Sequence, residues 1–219
     1  MSYRFDCSEA PGRRRGLARA GDVLDSGELV VLPTEASYGL AADAFSDEGV
    51  AALRAAKGNR RLVPPVLIGS CLSLDGLATD VSAAARELAE SFWPGPLTLV
   101  FHAQPTLDWS LTGPWQAAVS LRVPLHPVAL HLLARTGPLA VTGANTPGHP
   151  LPATYDEAHE QLGDLVAVYL DAGPATYGGP STVVDARSDV PRVVRRGALD
   201  VATLRGAVPD LLDLKEESA

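Results

Sequence analysis

Four apolar residues in succession, Leu29, Val30, Val31 and Leu32, form a continuous apolar run ahead of a proline. A continuous run of this length predicts a short strand buried on both faces. Pro33 lacks a backbone donor and should end the ladder there. Thr34, Glu35, Ser37 and Tyr38 then place polar groups just past the strand's carboxyl end, and Gly39 permits a sharp turn. Ligands bind at that edge in open α/β sheets. The same residues also suit a plain polar turn between two strands, and both readings stand at this point.

Elsewhere the pattern switches between helical and strand periods. Leu17, Ala18, Ala20, Val23 and Leu24 recur at roughly helical spacing over residues 13–26, with Gly27 where a C-cap would fall. Ser46, Asp47 and Glu48 make a helix start, Val50 and Leu53 its buried stripe, and Lys57-Gly58 its end. Residues 82–92 read as a helix capped by Ser82 and stopped before Pro94. Pro127 opens another that ends near Gly137, and Thr154 with Glu157 forms a capping box for a third. Strands are expected at 97–101, 117–123, 138–142, 165–170 and 181–185, with a short terminal helix from Asp200. Residues 104–116 read as a loop whose Trp109 and Trp115 either stack on a base or pack beneath it.

Composition narrows the class. The 219 residues fit one domain, or one with a short appendage, and 46% hydrophobic with 20% charged is ordinary for a soluble globular protein. A net charge of −8 argues against broad electrostatic binding to nucleic acid while leaving room for a local basic cleft. Cys7 and Cys71 lie far apart without metal-ligand spacing, which suits free thiols in a reducing compartment. The N-terminus has no apolar core after its basic residues, and no run approaches the ~20 apolar residues that span a bilayer. A cytoplasmic protein is expected.

Three cations in five residues, Lys57, Arg60 and Arg61, precede a buried strand and would suit a polyphosphate, or simply a solvated surface. The Arg13-Arg14-Arg15 run allows the same two readings. There is no G-x-x-x-x-G-K-[ST]; the glycines of 173–181 are followed by no lysine. No G-x-G-x-x-G opens a helix, no G-x-S-x-G elbow is present, and the five histidines show no metal spacing. A nucleotide would then be held by scattered cations and loop backbone.

Five blocks in order carry a resemblance. They are P-T-E-x-x-Y-G-L at 33–40, W-P-G-P-L-T at 93–98, R-V-P-L-H-P at 122–127, S-T-V-V-D at 181–185 and V-V-R-R-G at 193–197. The chain resembles the YrdC/TsaC family, the threonylcarbamoyl-AMP synthases, over about residues 27–199. The resemblance implies one YrdC-like α/β domain over 1–219, a twisted mixed β-sheet with helices packed on it and a concave ligand cleft, followed by a short helix and polar tail from 200. It implies the reaction of ATP, L-threonine and bicarbonate to threonylcarbamoyl-AMP and pyrophosphate, the first step toward a modified tRNA adenosine. It also implies roles. Lys57, Arg60 or Arg61, and Arg195 face the phosphates, Lys57 and Arg195 as catalytic residues, with Mg²⁺ bridging the phosphates and no protein metal site. Arg122, exposed at a strand end, holds the threonine carboxylate through its two-pronged guanidinium. Thr34, Tyr38 and Ser181 shape the amino-acid end, and Asn145 sits near the nucleotide. Partners would be the small-molecule substrates and downstream tRNA-modification proteins.

Four positions depart from the family pattern: Ala36 replaces a threonine, Asn59 an arginine, and Gly143 and Leu151 each a serine. A hydroxyl restored at 143 is expected to tighten ATP binding. The departures keep two alternatives open, a diverged paralogue acting on another small acceptor and a double-stranded-RNA-binding module, the latter opposed by the negative charge.

Overall fold

The computed structural model describes residues 1–107, 109, 111, 117–176 and 179–214. In chain order these form β1 (Tyr3–Asp6), α1 (Ala10–Asp25), β2 (Val30–Pro33), β3 (Tyr38–Asp43), α2 (Asp47–Ala56), β4 (Val66–Leu67), α3 (Leu74–Leu77), β5 (Ala78–Thr79) and α4 (Ala83–Phe92). There follow β6 (Leu97–Ala103), β7 (Ala118–Arg122), α5 (Pro127–Thr136), β8 (Leu139–Gly143), α6 (Tyr155–Leu162), β9 (Val168–Asp171), β10 (Thr182–Asp185), β11 (Arg192–Arg195) and α7 (Val201–Ala207). The strands make one mixed sheet in the order β1-β9-β2-β3-β8-β4-β7-β6-β10-β11, with β5 beside β6.

The apolar run at 29–32 is β2, buried on both faces as its composition requires. It does not run into a loop. The chain turns over residues 34–37 and returns as antiparallel β3, with Pro33 opposite Tyr38 and Val30 opposite Ala41. The stretch is thus a strand-to-strand turn and also the rim of the cleft described below. Ser46, Ser82 and Thr154 cap α2, α4 and α6 by accepting from the third backbone N–H along, each removing one unpaired helix donor.

The two faces of the sheet are covered unequally. On one, α2, α4, α6 and α7 pack Val50, Leu53, Leu88, Leu162 and Leu204 against Leu40, Leu99, Leu121 and Val184. On the other, α1 and α5 bring Val23, Leu24, Val128 and Leu132 onto Leu32, Ala41, Leu139, Val168 and Leu170. Those two helices lie over the β1-to-β8 half and leave the rest of that face open. Each fully buried aliphatic side chain contributes about 1.5–3 kcal/mol, so the covered areas form a stiff frame for the open half.

Some elements differ from the sequence expectation. β1 is four residues without a flanking turn signal and was not anticipated; parallel pairing with β9 makes it a strand. α1 starts at Ala10 rather than at residue 13, with a proline in its first turn. β9 begins at Val168 because residues 163–165 form a 3₁₀ turn. The short α3 and β5 were also unanticipated. Trp109 is buried and stacks on Phe45 with centroids 5.3 Å apart, so it packs beneath its loop; Trp115 lies outside the described residues. Among the described residues, no helix is long and apolar enough to cross a membrane.

Candidate active site

The open half of the sheet holds a cavity of about 430 Å³. Strand alternation decides its floor. Leu97, Leu99, Val119 and Leu121 point into the core, so Thr98, Ser120 and Arg122 must point the other way, into the cavity. Leu67, Val141 and Val183 complete the floor, and loop residues Ala36, Val63, Leu151 and Pro180 stand around it.

One end of the cavity is cationic. Arg122 is not an exposed strand end: it is only 8% accessible, its Nη2 lies 2.5 Å from Glu35 Oε1, and its Nε donates to Gly95 O at 3.1 Å. The second Glu35 oxygen accepts from Leu125 N at 3.0 Å. A buried carboxylate thus already fixes one edge of this guanidinium, and cleft-facing contact is left to the remainder. Arg195 reaches the same cavity from β11, its Nη2 donating to Ser181 O (2.8 Å) and Ser181 Oγ (3.1 Å). Ser181 Oγ lies 2.8 Å from Thr98 Oγ1. Burial, and secondarily the charge of Arg122, lower the Arg195 pKa from its ordinary value. Two guanidiniums therefore face one cavity and only Arg122 is paired to a carboxylate there, a local excess of positive charge in a chain of net charge −8. Gly197 allows the approach of β11: a Cβ there would stand 2.4 Å from the Ser181 carbonyl carbon.

Of the remaining candidates, Thr34 lines the cavity while its hydroxyl closes the turn, Tyr38, Lys57 and Asn145 are turned onto the frame, and Arg60 and Arg61 face solvent. Thr34 Oγ1 donates to Ser37 O (2.7 Å) and accepts from the amides of Ala36 and Ser37, closing the turn. Tyr38, expected at the amino-acid end, is fully buried and does not line the cavity; its hydroxyl donates to Gly173 O (2.7 Å) and accepts from Ala172 N. Burial pushes its phenol well up. Lys57, expected at the phosphates, places its Nζ on Gly143 O (3.0 Å), Asn145 Oδ1 (2.9 Å) and Asn145 O. These three acceptors match its three donors, and burial lowers its pKa. Asn145 in turn donates from Nδ2 to His149 O at 2.7 Å. Asn59 accepts from Arg61 N in an Asx turn, and Arg60 and Arg61 project into solvent away from the cavity lining.

Sequence reasoning gave no role to Glu35 or Thr98. Thr98 alternates with the core residues Leu97 and Leu99, which was the available signal, whereas Glu35 stands in the turn between buried Thr34 and Ala36 and has no such pattern around it. Among the described residues no group of three or more His, Cys, Asp or Glu is placed to hold a metal.

The wall toward β8 is apolar: Leu62, Val63, Pro65, Val141 and Leu151, with Leu67 the strand neighbour of Arg122. Two of the departures meet there. A Cβ on Gly143 would fall 2.2 Å from Leu151 Cδ2 and 2.7 Å from Asn145 Oδ1, so Leu151 occupies the volume a residue-143 side chain would need.

Comparison with known proteins bears on this geometry. Residues 22–197 match the Sua5/YciO/YrdC family model, described as "Telomere recombination". A Mycobacterium tuberculosis protein provisionally named a threonylcarbamoyl-AMP synthase is 48% identical over 90% of this chain and 91% of its own. The Bacillus subtilis threonylcarbamoyl-AMP synthase is 32% identical over 84% of this chain and 54% of its own. The crystal structure of Pyrococcus abyssi Sua5 complexed with L-threonine superposes with a TM-score of 0.89 at 29% identity, covering 97% of this chain and 62% of that one. The chain thus spans nearly all of the mycobacterial relative and under two thirds of the other two.

Proposed function

This chain belongs to the Sua5/YciO/YrdC family, and from that premise we propose that it is a threonylcarbamoyl-AMP synthase, making threonylcarbamoyl-AMP and pyrophosphate from ATP, L-threonine and bicarbonate for tRNA modification. The observation that carries the reading is the pair Arg122 and Arg195 facing one cavity beside Ser181 and Thr98. The threonine amine condenses with bicarbonate, losing water, to give a carbamate. A carbamate oxygen then attacks the α-phosphorus of ATP; the new O–P bond forms as the bond to the β-phosphate oxygen breaks and pyrophosphate leaves. Nucleophile and electrophile are both anionic, so the requirement is positioning and charge neutralisation rather than a strong base.

In this reading Arg122 holds the threonine carboxylate with the part of its guanidinium that Glu35 does not occupy. Arg195 and the Ser181 hydroxyl meet the phosphates or the carbamate. Lys57 and Asn145 act one step back, setting the loop after β8, and Thr34 and Tyr38 set the turn. Arg60 and Arg61 reach phosphate only by swinging inward from solvent. Mg²⁺ arrives with ATP on the phosphate oxygens. The chain works as one domain, in the cytoplasm, and passes its product to downstream tRNA-modification proteins.

The test is product analysis: mass spectrometry of mixtures containing ATP, bicarbonate and L-threonine, with each substrate omitted in turn. Threonylcarbamoyl-AMP and pyrophosphate should appear only in the complete mixture. Pyrophosphate release with another amino acid but not threonine would favour a related synthase with a different acceptor, a reading that the apolar wall at Leu151 motivates.

A further inference from the structure

The loop that carries Leu151 is held on both sides. Pro150 O accepts from Gln161 Nε2 at 3.2 Å, and Pro152 O accepts from Tyr38 N at 2.9 Å. Flanking prolines restrict the backbone further. Leu151 is 39% accessible, and its exposed part faces the cavity. Its Cδ2 rests where Gly143 has no side chain. Gly143 does not have positive φ, so what this position requires is space and not an unusual backbone.

We infer that Leu151, seated on Gly143, is a specificity-determining residue of the cleft: it makes the wall beside β8 apolar, so that the nucleoside of ATP is held there by shape and apolar contact and not by a hydrogen bond. The inference takes the identity of the ligand from the synthase reading. Within that reading, size assigns the wall to the nucleoside. Leu62, Val63, Pro65, Leu67, Val141 and Leu151 offer more apolar surface than the single methyl group of threonine can cover, whereas a purine face covers it.

A Cβ at 143 meets both the Leu151 methyl and Asn145 Oδ1, the acceptor of Lys57. Gly143→Ser therefore forces Leu151 into the cavity, and the added hydroxyl weakens ATP binding instead of tightening it as the family comparison alone would suggest. Leu151→Ala removes the closer of the two obstacles and leaves the contact with Asn145 Oδ1. The two positions should be strongly non-additive.

The experiment measures KM for ATP and for threonine in Gly143→Ser, Leu151→Ala and the double variant, with thermal melts to confirm folding. Gly143→Ser should raise KM for ATP about tenfold or more and leave KM for threonine within about twofold. Leu151→Ala should raise KM for ATP about threefold, and adding Gly143→Ser to it should cost clearly less than Gly143→Ser costs in the parent, the remainder coming from Asn145. Additive effects, an unchanged KM for ATP in Gly143→Ser, or a change confined to threonine would each overturn the inference. Calorimetric titration with ATP separates it from the synthase reading. The same rescue pattern in ATP affinity without any threonylcarbamoyl-AMP sinks the synthase reading and keeps the pair. Product formation without the pattern does the reverse, and a parent chain that binds no ATP removes both.

Discussion

The guanidinium of Arg122 and the carboxylate of Glu35 form a buried ion pair at the floor of the cleft, and the carboxylate comes from the turn between β2 and β3. The pair ties that turn to β7 and also limits how Arg122 can meet a ligand. Glu35→Gln tests both consequences. Removing one charge of a buried pair leaves the other uncompensated, and a loss of about 3 kcal/mol in stability is expected in urea unfolding. Threonine KM should fall, because a competing carboxylate has gone. A rise in threonine KM in a folded variant would mean that Glu35 assists the substrate directly.

Arg122→Lys keeps the charge but loses the planar fork and the bond to Gly95 O. If this guanidinium receives the threonine carboxylate, losing a charge-assisted bond of roughly 1.5–3 kcal/mol raises threonine KM about tenfold to a hundredfold. KM for ATP should change by less than about twofold. Equal losses for both substrates would mean that the cleft has collapsed or that the role is misassigned.

Tyr38→Phe asks whether a family motif residue touches substrate. Its hydroxyl bonds Gly173 O and Ala172 N, and Asp171 Oδ1 is 3.2 Å away. Deletion leaves buried polar groups without a partner, so about 1–3 kcal/mol of stability should be lost, read as a lower urea midpoint. Both KM values should stay within about twofold. A selective rise in threonine KM would place Tyr38 in the substrate site after all.

The sequence made much of this architecture legible. The caps at Ser46, Ser82 and Thr154 follow from local hydrogen bonding, and the buried run of β2 from composition alone. Which polar groups face the cavity was less legible. The family motifs point to Lys57, Tyr38 and Asn145 as ligand contacts, yet each has its hydrogen-bonding atoms turned onto the frame, because the loop after β8 and the segment after β9 bring carbonyls to them. The pairing of Glu35 is not legible locally because its partner lies 87 residues away. The Gly143–Leu151 fit is likewise invisible in one dimension: the lost side chain at 143 and the leucine at 151 look like separate departures until they share a volume.

His126 caps α5, its Nδ1 accepting from Val128 N, which requires the unprotonated ring nitrogen. Burial lowers its pKa from the ordinary 6.5, and nearby Glu35 only partly opposes this. The unfolded chain therefore takes up the proton first as pH falls, and stability declines below about pH 6.5 until the folded state also protonates. His126→Asn keeps a capping acceptor and removes the titration. Urea unfolding at about pH 7.5 and about pH 5.5 should show a smaller loss on acidification in the variant than in the parent. An equal loss would assign the acid sensitivity to other groups.

Lys57 separates positioning from phosphate binding. Its ammonium sits among Gly143 O, Asn145 O and Asn145 Oδ1, so in the described structure it organises the loop after β8 and has no donor left for a ligand. Lys57→Met retains the stem and deletes the donors. If Lys57 is a positioning residue, those carbonyl acceptors lose their partner, and stability should drop by about 1–3 kcal/mol. KM for ATP should rise more than KM for threonine, because the displaced loop carries the Leu151 wall. Magnesium pyrophosphate, which carries the phosphate charge but no nucleoside, supplies the discriminating readout. A positioning lysine predicts that inhibition by pyrophosphate is nearly unchanged in Lys57→Met, while KM for ATP rises. A lysine that swings onto the phosphates predicts that both weaken together, by the roughly 1.5–3 kcal/mol of a charge-assisted bond. Parallel loss of ATP and pyrophosphate affinity, in a variant as stable as the parent, would return Lys57 to the phosphate site.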